Sequence, residues 1–386
     1  MVIYYINWYF WFSLVSLIIA ILALALAGET WRKLRYLLVV QQTSKHSHQL
    51  TPSNKGGSVY VIYNPSKKFD FQNLKTKISA IAANTGMEEP IWLATTREDS
   101  GYSMGLKAVE ANAGVVITAG GDGTVRAVSS ALSGSGIPMG ILPVGTTNLL
   151  ARNLRLPINN LDESIQIALT GRNRQIDIGW MKIINGEYSE GIVPDSTFLK
   201  ELTGRDDIDS GESAFLIMAG IGFDGDIMAS VEGKMKSRVG WFAYVFSGLK
   251  NLRRERMGAN LTIGSTQESS EFLARSVLFA NCGQLPHNIL LLPDAQIDDG
   301  WLEIAVIDIK SKIFGWISLA IKVILQGIGI KTKIPKIVGK LDILRTHKAH
   351  LTTDKKYNVQ IDGEYMGKAK ELKVRIQSGA LIVRTV

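Results

Sequence analysis

The chain has 386 residues, of which 46% are hydrophobic, and a formal net charge of +8. That is enough apolar material for two cores after a terminal segment is set aside, and the basic balance favours anionic partners such as nucleic acid, anionic lipid or nucleotide. A single cysteine, Cys282, excludes an internal disulfide and a cysteine-rich zinc site, in agreement with a reducing compartment.

Residues 1–28 contain no Asp, Glu, Lys or Arg, and Val2–Ala27 is apolar and aromatic apart from Asn7 and two serines. As a helix this run would be roughly 39 Å long, enough to cross a hydrocarbon core of about 30 Å. Trp8 and Trp11 suit an interface belt, and Trp31, Arg32, Lys33 and Arg35 follow at once. The positive-inside rule then puts the remainder in the cytoplasm. The expectation is a transmembrane anchor over 1–30, single-pass membrane localisation and cytoplasmic catalytic domains. A cleaved signal peptide is the rival, since Ala25-Leu26-Ala27 resembles a cleavage site, but its n-region lacks a positive side chain and its apolar run is too long. A buried soluble helix fits poorly, because the run is apolar on all sides. Residues 31–56 read as a basic juxtamembrane linker, polar and turn-rich from 41, in which His46 and His48 are metal candidates or solvated linker residues.

A nucleotide-binding α/β domain is expected over 57–165. Val59–Tyr63 reads as a strand ending in Asn64-Pro65-Ser66, with Lys67 and Lys68 beyond. Phe71–Asn84 has helical spacing, Ile91–Thr95 reads as a strand ending in Thr95-Thr96, and Met104–Asn112 as a helix. The β-branched run from Val115 stops at Gly120-Gly121-Asp122-Gly123-Thr124, and a helix is predicted from Val125 to Leu132. These glycines remove the side chains that would hold a ligand away from the backbone, and amides at a helix N-terminus suit phosphate. Asp122 would repel phosphate, so it is expected to act through magnesium or a positioned hydroxyl. A second strand, Pro138–Leu142, ends in Pro143-Val144-Gly145-Thr146-Thr147-Asn148 before a helix through Leu150 and Arg152. Strand–helix alternation predicts a parallel sheet with Asn64, Thr96, Asp122, Thr124, Thr146 and Asn148 as a polar rim at its strand ends.

Beyond Leu156-Pro157 and a helix ending at Ser164–Leu169 the pattern changes. Arg174–Trp180, Met181–Ile184, Ala214–Ala219, Leu261–Ile263, Ser276–Ala280 and Leu302–Val306 are short β-like runs, predicting a β-rich, largely antiparallel domain over 166–386 whose last strands could return to the first domain. Residues 185–212 read as a mobile loop. Helices are predicted at Val239–Leu252 and Ile313–Ile330; each carries basic residues, suiting either an anionic bilayer surface or core packing.

Two acidic turns bear chemistry. Val359-Gln360-Ile361 enters Asp362-Gly363-Glu364, and Pro293-Asp294-Ala295-Gln296-Ile297-Asp298-Asp299-Gly300 offers hard oxygen ligands for magnesium. Either turn alone is commonplace. With the glycine loops they suit phosphoryl transfer: amides cradle a nucleotide, a divalent cation spreads charge and a carboxylate accepts a hydroxyl proton.

The chain resembles the diacylglycerol kinase catalytic-domain family, which includes sphingosine kinases and bacterial lipid kinases. The matching residues are Asn64-Pro65, Gly120–Thr124, Gly140–Asn148, Asp177-Ile178-Gly179, Gly220-Ile221-Gly222-Phe223-Asp224, Pro293–Gly300 and Asp362-Gly363-Glu364, in the family's order from about residue 57 onward. The resemblance implies a nucleotide-binding domain and a lipid-binding domain with the site between them. It implies ATP at Thr96, Gly121–Thr124 and Thr146, with Asn64, Gly120, Gly145, Thr147 and Asn148 in the same loops. It implies Glu364, or Asp362 beside it, as the base, with Asp122 in the catalytic set. It implies Mg2+ at Asp299 with the carbonyls of Gln296 and Trp301, support from Asp177, and Asp224 near the lipid head. Three departures stand out: Arg126-Ala127 where the family often has Asn-Glu, Leu149 where bacterial diacylglycerol kinases often have Asp, and no Ser-Gly after Asn64-Pro65-Ser66. They bear on the acceptor lipid and on Asn64.

The expected function is an ATP-dependent lipid kinase acting on diacylglycerol to form phosphatidic acid, with a sphingoid base or another lipid as the alternative acceptor. An NAD kinase shares Gly-Gly-Asp-Gly, but the anchor and the Asp-Gly-Glu turn argue against it. A non-catalytic lipid-binding scaffold is the alternative outside enzymology, against which stand both Asp122 and Glu364. The expected partners are a membrane lipid substrate, the bilayer through the N-terminal helix and a basic surface, and a second copy in a homodimer, with no nucleic acid.

Overall fold

The structure, a computed structural model, describes residues 49–50, 57–190, 196, 209–222, 256–264, 269–285, 289–290, 292, 294–308 and 340–386. Its first unit alternates strand and helix. Val59–Tyr63 (β1), Ile91–Ala94 (β2), Val115–Gly120 (β3) and Pro138–Pro143 (β4) lie in the order β2-β1-β3-β4, with every pairing parallel. Between and after them run Phe71–Asn84 (α1), Tyr102–Glu110 (α2), Asp122–Leu132 (α3), Leu149–Asn153 (α4) and Leu161–Thr170 (α5). Successive strand residues face opposite sides, so one sheet fills two cores. Val59, Val61, Val115 and Ile117 pack with Leu74 and Ile78 of α1 and Ile165 and Leu169 of α5. Ile62, Val116 and Met139 pack with Val125, Val128 and Leu132 of α3. Coverage on both faces explains why these strands read as continuous apolar runs.

Helix starts follow their caps. Asp70 accepts from the Asn73 amide at 2.9 Å, starting α1, and Asp99 accepts from the amides of Gly101 (2.8 Å) and Tyr102 (2.7 Å), starting α2. Gly140 on β4 has no room for a side chain, since a Cβ there would lie 2.6 Å from Ala168 Cβ and 2.7 Å from the Ala168 carbonyl oxygen of α5. Gly140→Ala is therefore expected to cost about 1–3 kcal/mol through overpacking, read as a lower urea midpoint with an unchanged slope.

The second unit is built from Arg172–Tyr188 (β5), Glu212–Phe215 (β6), Met218–Gly222 (β7), Met257–Ile263 (β8), Ser269–Ala274 (β9), Ser276–Ala280 (β10), Leu302–Asp308 (β11), Lys340–Thr346 (β12), Lys348–Ile361 (β13) and Glu364–Thr385 (β14). Their mutual pairings are antiparallel. Met181, Phe215, Phe279, Ile304, Leu351 and Leu372 anchor its core. The long β14 pairs along β5 and ends beside β4, with Ile382 opposite Pro138 and Val383 opposite Met139 in parallel register. The C-terminal strand thus joins both units into one sheet among the described residues, 15-stranded when the two-residue strand Gln49–Leu50 paired with β5 is included.

Several boundaries differ from the sequence reading. Helix α3 begins at Asp122, so the aspartate lies in its first turn. The two runs from Arg174 form one 17-residue strand, β5, which reaches Tyr188 inside the expected loop. Ala214–Ala219 divides into β6 and β7 because a side chain from the Asp362 turn captures the intervening amides. The linker over 51–56, His46, His48, Phe223, Asp224, Pro293 and the helices expected at 239–252 and 313–330 lie outside the described residues.

The membrane expectations need correction. No helix among the described residues is long and apolar enough to cross a membrane. The longest, α1, has 14 residues, roughly 21 Å against a core of about 30 Å, and it is amphipathic, burying Leu74, Ile78 and Ala82 on one face. The N-terminal transmembrane helix, the bilayer anchor built on it and the single-pass localisation are therefore not part of the fold described here. The run 1–30 on which they were read lies outside the described residues.

Candidate active site

The order β2-β1-β3-β4 reverses direction between β1 and β3, and in open parallel sheets the crevice beyond the strand ends at such a reversal is where ligands bind. The loops after β1, β3 and β4 meet there. After β3, a Cβ on Gly120 would fall 2.5 Å from Thr124 Cβ, so this turn admits only glycine. Gly121 occupies the N-cap of α3 with no side-chain cap, leaving first-turn amides for another acceptor. A Cβ on Gly123 would meet nothing within 4 Å, so open space borders that turn. After β4, a Cβ on Gly145 would lie 2.6 Å from Gly121 Cα; the two glycine loops touch backbone to backbone.

Two of the polar residues picked from sequence hold these loops. Asp122 Oδ1 accepts from the Leu149 amide at 2.6 Å, binding the first loop to the start of α4. Burial pushes its carboxyl up, opposed by the Leu149 and Asn148 amides and by Lys67. Asn148, at φ 49°, accepts from Gly145 N at 3.0 Å and donates to the carbonyls of Pro143 (3.1 Å) and Gly145 (2.8 Å). Thr124 is buried beneath Gly120, whereas Thr146 is exposed. The Thr147 carbonyl accepts from Arg152 Nε at 2.8 Å. Asn64 accepts from Ser66 N at 3.0 Å and Ser66 Oγ at 2.7 Å, shaping the turn after β1, while its amide donates to Ala119 O of β3 at 3.0 Å. Thr96, exposed after β2, accepts from the Asp99 amide at 3.1 Å.

The Asp-Gly-Glu turn separates its two carboxylates. Asp362, at φ 47°, points inward: its Oδ2 accepts from Leu216 N at 2.8 Å, and its Oδ1 from Ile217 N at 2.9 Å and Met218 N at 3.0 Å. Burial pushes this carboxyl up against the lowering pull of those amides and Arg126. Glu364 points outward, with 48% of its side chain exposed, and pairs with Arg126, whose side chain is 13% exposed. Arg126 lies four residues after Asp122 on α3, about 6 Å along the axis. One helix thus connects the glycine loop to the turn that carries Glu364.

The second acidic turn is occupied by its own neighbours. Asp177 Oδ2 accepts from Gly300 N at 2.6 Å and Oδ1 from Gly379 N at 2.7 Å; burial, with Asp299 and Asp298 nearby, pushes it up to about 6. Asp299 Oδ1 accepts from Trp301 N at 3.0 Å, and Oδ2 pairs with Arg345. Asp298 pairs with Arg174 at 2.8 Å, and Gln296 is exposed. The Trp301 ring stacks on His347 at 3.9 Å. Among the described residues no group of three or more His, Cys, Asp or Glu side chains is placed to hold a metal. Of the set Gln296, Asp299, Trp301 and Asp177, the Asp177 carboxylate is engaged by the Gly300 and Gly379 amides and that of Asp299 by the Trp301 amide and Arg345.

Sequence reasoning missed three residues at this site. Asn281 donates to the carbonyls of Asp177 (3.0 Å) and Leu216 (2.9 Å), linking the second acidic turn to the segment clamped by Asp362. Arg126 was visible only as a departure from a pattern. Lys67 reaches the first glycine loop, its Nζ lying 3.3 Å from a Cβ placed on Gly121. A separate groove of about 430 Å³, lined by Ala259, Phe272, Leu273 and Thr353 among others, includes none of the residues picked from sequence.

Comparison with known proteins gives consistent matches. Residues 58–181 match the diacylglycerol kinase catalytic domain, and residues 218–385 match the YegS C-terminal NAD kinase beta sandwich-like domain. A diacylglycerol kinase of Staphylococcus saprophyticus is 27% identical over 311 residues, covering 80% of this chain and 89% of that protein. An uncharacterized protein of Synechocystis sp. is 24% identical over 255 residues; the match takes in 65% of this chain but only 50% of that longer protein. The crystal structure of a diacylglycerol kinase from Bacillus anthracis str. Sterne shares the fold, with a TM-score of 0.58 at 18% identity, covering 86% of this chain and 98% of that one.

Proposed function

The chain belongs to the diacylglycerol kinase catalytic-domain family of lipid kinases, and from that premise we propose that it transfers the terminal phosphoryl group of ATP to a membrane-lipid hydroxyl, converting diacylglycerol to phosphatidic acid. The observation that carries this reading is the pairing of Arg126 with Glu364. It sets the one outward-facing carboxylate of the Asp-Gly-Glu turn beside the helix that begins at the glycine cradle.

In this reading residues 57–165 bind the nucleotide and 166–386 the lipid. The amides of Gly121–Thr124 and the loop from Gly145 to Asn148 take the phosphates, on loops packed so closely that neither Gly120 nor Gly145 has room for a side chain. A divalent cation accompanying ATP would supply charge neutralisation for the transfer. The acceptor oxygen bonds to the γ-phosphorus as the bond to the β-phosphate bridging oxygen breaks. The hydroxyl proton passes to Glu364, and ADP departs. Asp362 and Asp122 are positioning residues: the first holds the turn, the second locks the loops together.

The test incubates purified full-length protein with γ-labelled MgATP and vesicles containing diacylglycerol or a sphingoid base, with NAD as a soluble arm. Labelled phosphatidic acid is expected. A labelled sphingoid base alone would move the acceptor, labelled NADP would move the reading to an NAD kinase, and nucleotide binding without any labelled product would leave only a binding protein.

A further inference from the structure

We propose that Arg126 is a positioning residue for the base: by holding Oε2 of Glu364 it fixes the rotamer in which Oε1 meets the acceptor hydroxyl, so the aim of the base is set from the helix that starts at the glycine cradle. This deepens the kinase reading above and rests on it. Three observations carry it. First, the backbone around Glu364 is fixed by its own turn. Asp362 N donates to Met218 O at 2.9 Å and Gly363 N donates to Gln360 Oε1 at 2.8 Å, with Asp362 at φ 47° and Gly363 at φ 81°. The Glu364 side chain projects beyond that turn with 48% of its surface exposed. A long, exposed side chain samples several rotamers unless a partner ties it.

Secondly, the tie comes from a rigid partner. Val125, Val128 and Leu132 of α3 pack in the same core as Leu216, Ile217 and Met218, the segment that Asp362 clamps. Arg126 stands on that helix with its side chain only 13% exposed. Its Nη2 donates to Glu364 Oε2, and among the described residues no side-chain hydrogen bond reaches Oε1. A planar, permanently charged guanidinium fixes the orientation of a carboxylate as well as its place. Thirdly, the same guanidinium opposes the burial that pushes the Asp362 carboxyl up. One cation therefore acts on both carboxylates of a turn that the proposed reaction brings toward a triphosphate, where uncompensated negative charge would be repelled. The resembling family often has Asn here, a shorter side chain with no charge.

The two roles are separable, because a residue that works through Glu364 has nothing to position once Glu364 can no longer accept a proton. Interacting residues show this as non-additivity.

The experiment is a double-mutant cycle on the full-length protein: wild type, Arg126→Met, Glu364→Gln and the two together, with Arg126→Lys and Arg126→Asn alongside. Turnover is measured with MgATP and vesicles containing diacylglycerol and a sphingoid base, and melting curves confirm that each variant is folded at the assay temperature. Arg126→Met is expected to lower kcat about 10–100-fold, the scale of a misplaced reacting group, with KM for ATP changed less than about twofold. Arg126→Lys should recover part of the rate and Arg126→Asn should not. In the Glu364→Gln background, Arg126→Met should change kcat less than about twofold. Unchanged kcat in Arg126→Met overturns the assignment and leaves the kinase reading standing. An equal loss in both backgrounds, or a loss confined to KM for ATP, also overturns it, since Arg126 would then act on the fold or the nucleotide and not through Glu364. A wild type that phosphorylates neither lipid overturns the kinase reading, and the assignment falls with it.

Discussion

Replacing Glu364 with Gln is expected to lower kcat for lipid phosphorylation by about 10²–10⁴, the span that a positioned general base supplies. ATP affinity should stay within about twofold, because this side chain is half-exposed and faces Arg126, not the amides of Gly121–Thr124. Stability should move by less than about 1 kcal/mol, since partly exposed ion pairs contribute little and a glutamine oxygen can still accept from the guanidinium. Rapid-quench turnover with calorimetry in parallel separates these quantities. A fall in ATP affinity that accounts for the whole loss of rate would assign Glu364 to nucleotide binding. Unchanged turnover would remove it from the chemistry.

The second large effect belongs to its neighbour. Asp362→Ala is expected to destabilise the protein by about 2–4 kcal/mol, because the amides of Leu216, Ile217 and Met218 lose their acceptor. Alanine also tolerates φ 47° poorly, whereas aspartate adopts left-handed backbone more readily. Asp362→Asn keeps one carbonyl acceptor and should recover roughly half of that loss. At a temperature where it is folded, Asp362→Asn should retain far more turnover than Glu364→Gln. Urea denaturation of the three proteins provides the check. If Asp362→Asn is as stable as wild type yet fully inactive, the proton acceptor is Asp362 and the two roles are reversed.

The contrast between Asp362 and Glu364 marks where sequence ceases to be informative. Asp-Gly-Glu reads as two equivalent carboxylates. Their separation comes from a tight turn in which Asp362 bonds to a segment 144–146 positions away. The same carboxylate divides the run Ala214–Ala219 into two strands, a break that no local pattern encodes. Arg126 could be seen as a departure from a pattern, but its partner lies 238 positions later. By contrast, β1, β3, β4 and α1 were legible, because a strand buried on both faces has to be apolar throughout and a surface helix has to alternate. The glycine turns were legible because Gly120 is demanded by the Thr124 side chain and Gly145 by the Gly121 backbone. For the second acidic turn, hard oxygens in sequence do not reveal that Arg345 and nearby amides engage the carboxylates of Asp177 and Asp299. The membrane span went astray. Its warrant was one uniformly apolar stretch, whereas the described helices are short, and α1 is two-faced.

The central claim is that the glycine cradle and Glu364 serve one reaction, and its most direct test is a crystal structure of the full chain with a non-hydrolysable MgATP analogue. The account predicts the β- and γ-phosphates against the amides of Gly121–Thr124, with the terminal phosphate and the Glu364 carboxylate facing each other across room for one hydroxyl. A triphosphate bound elsewhere, or one walled off from Glu364 by protein, would contradict it.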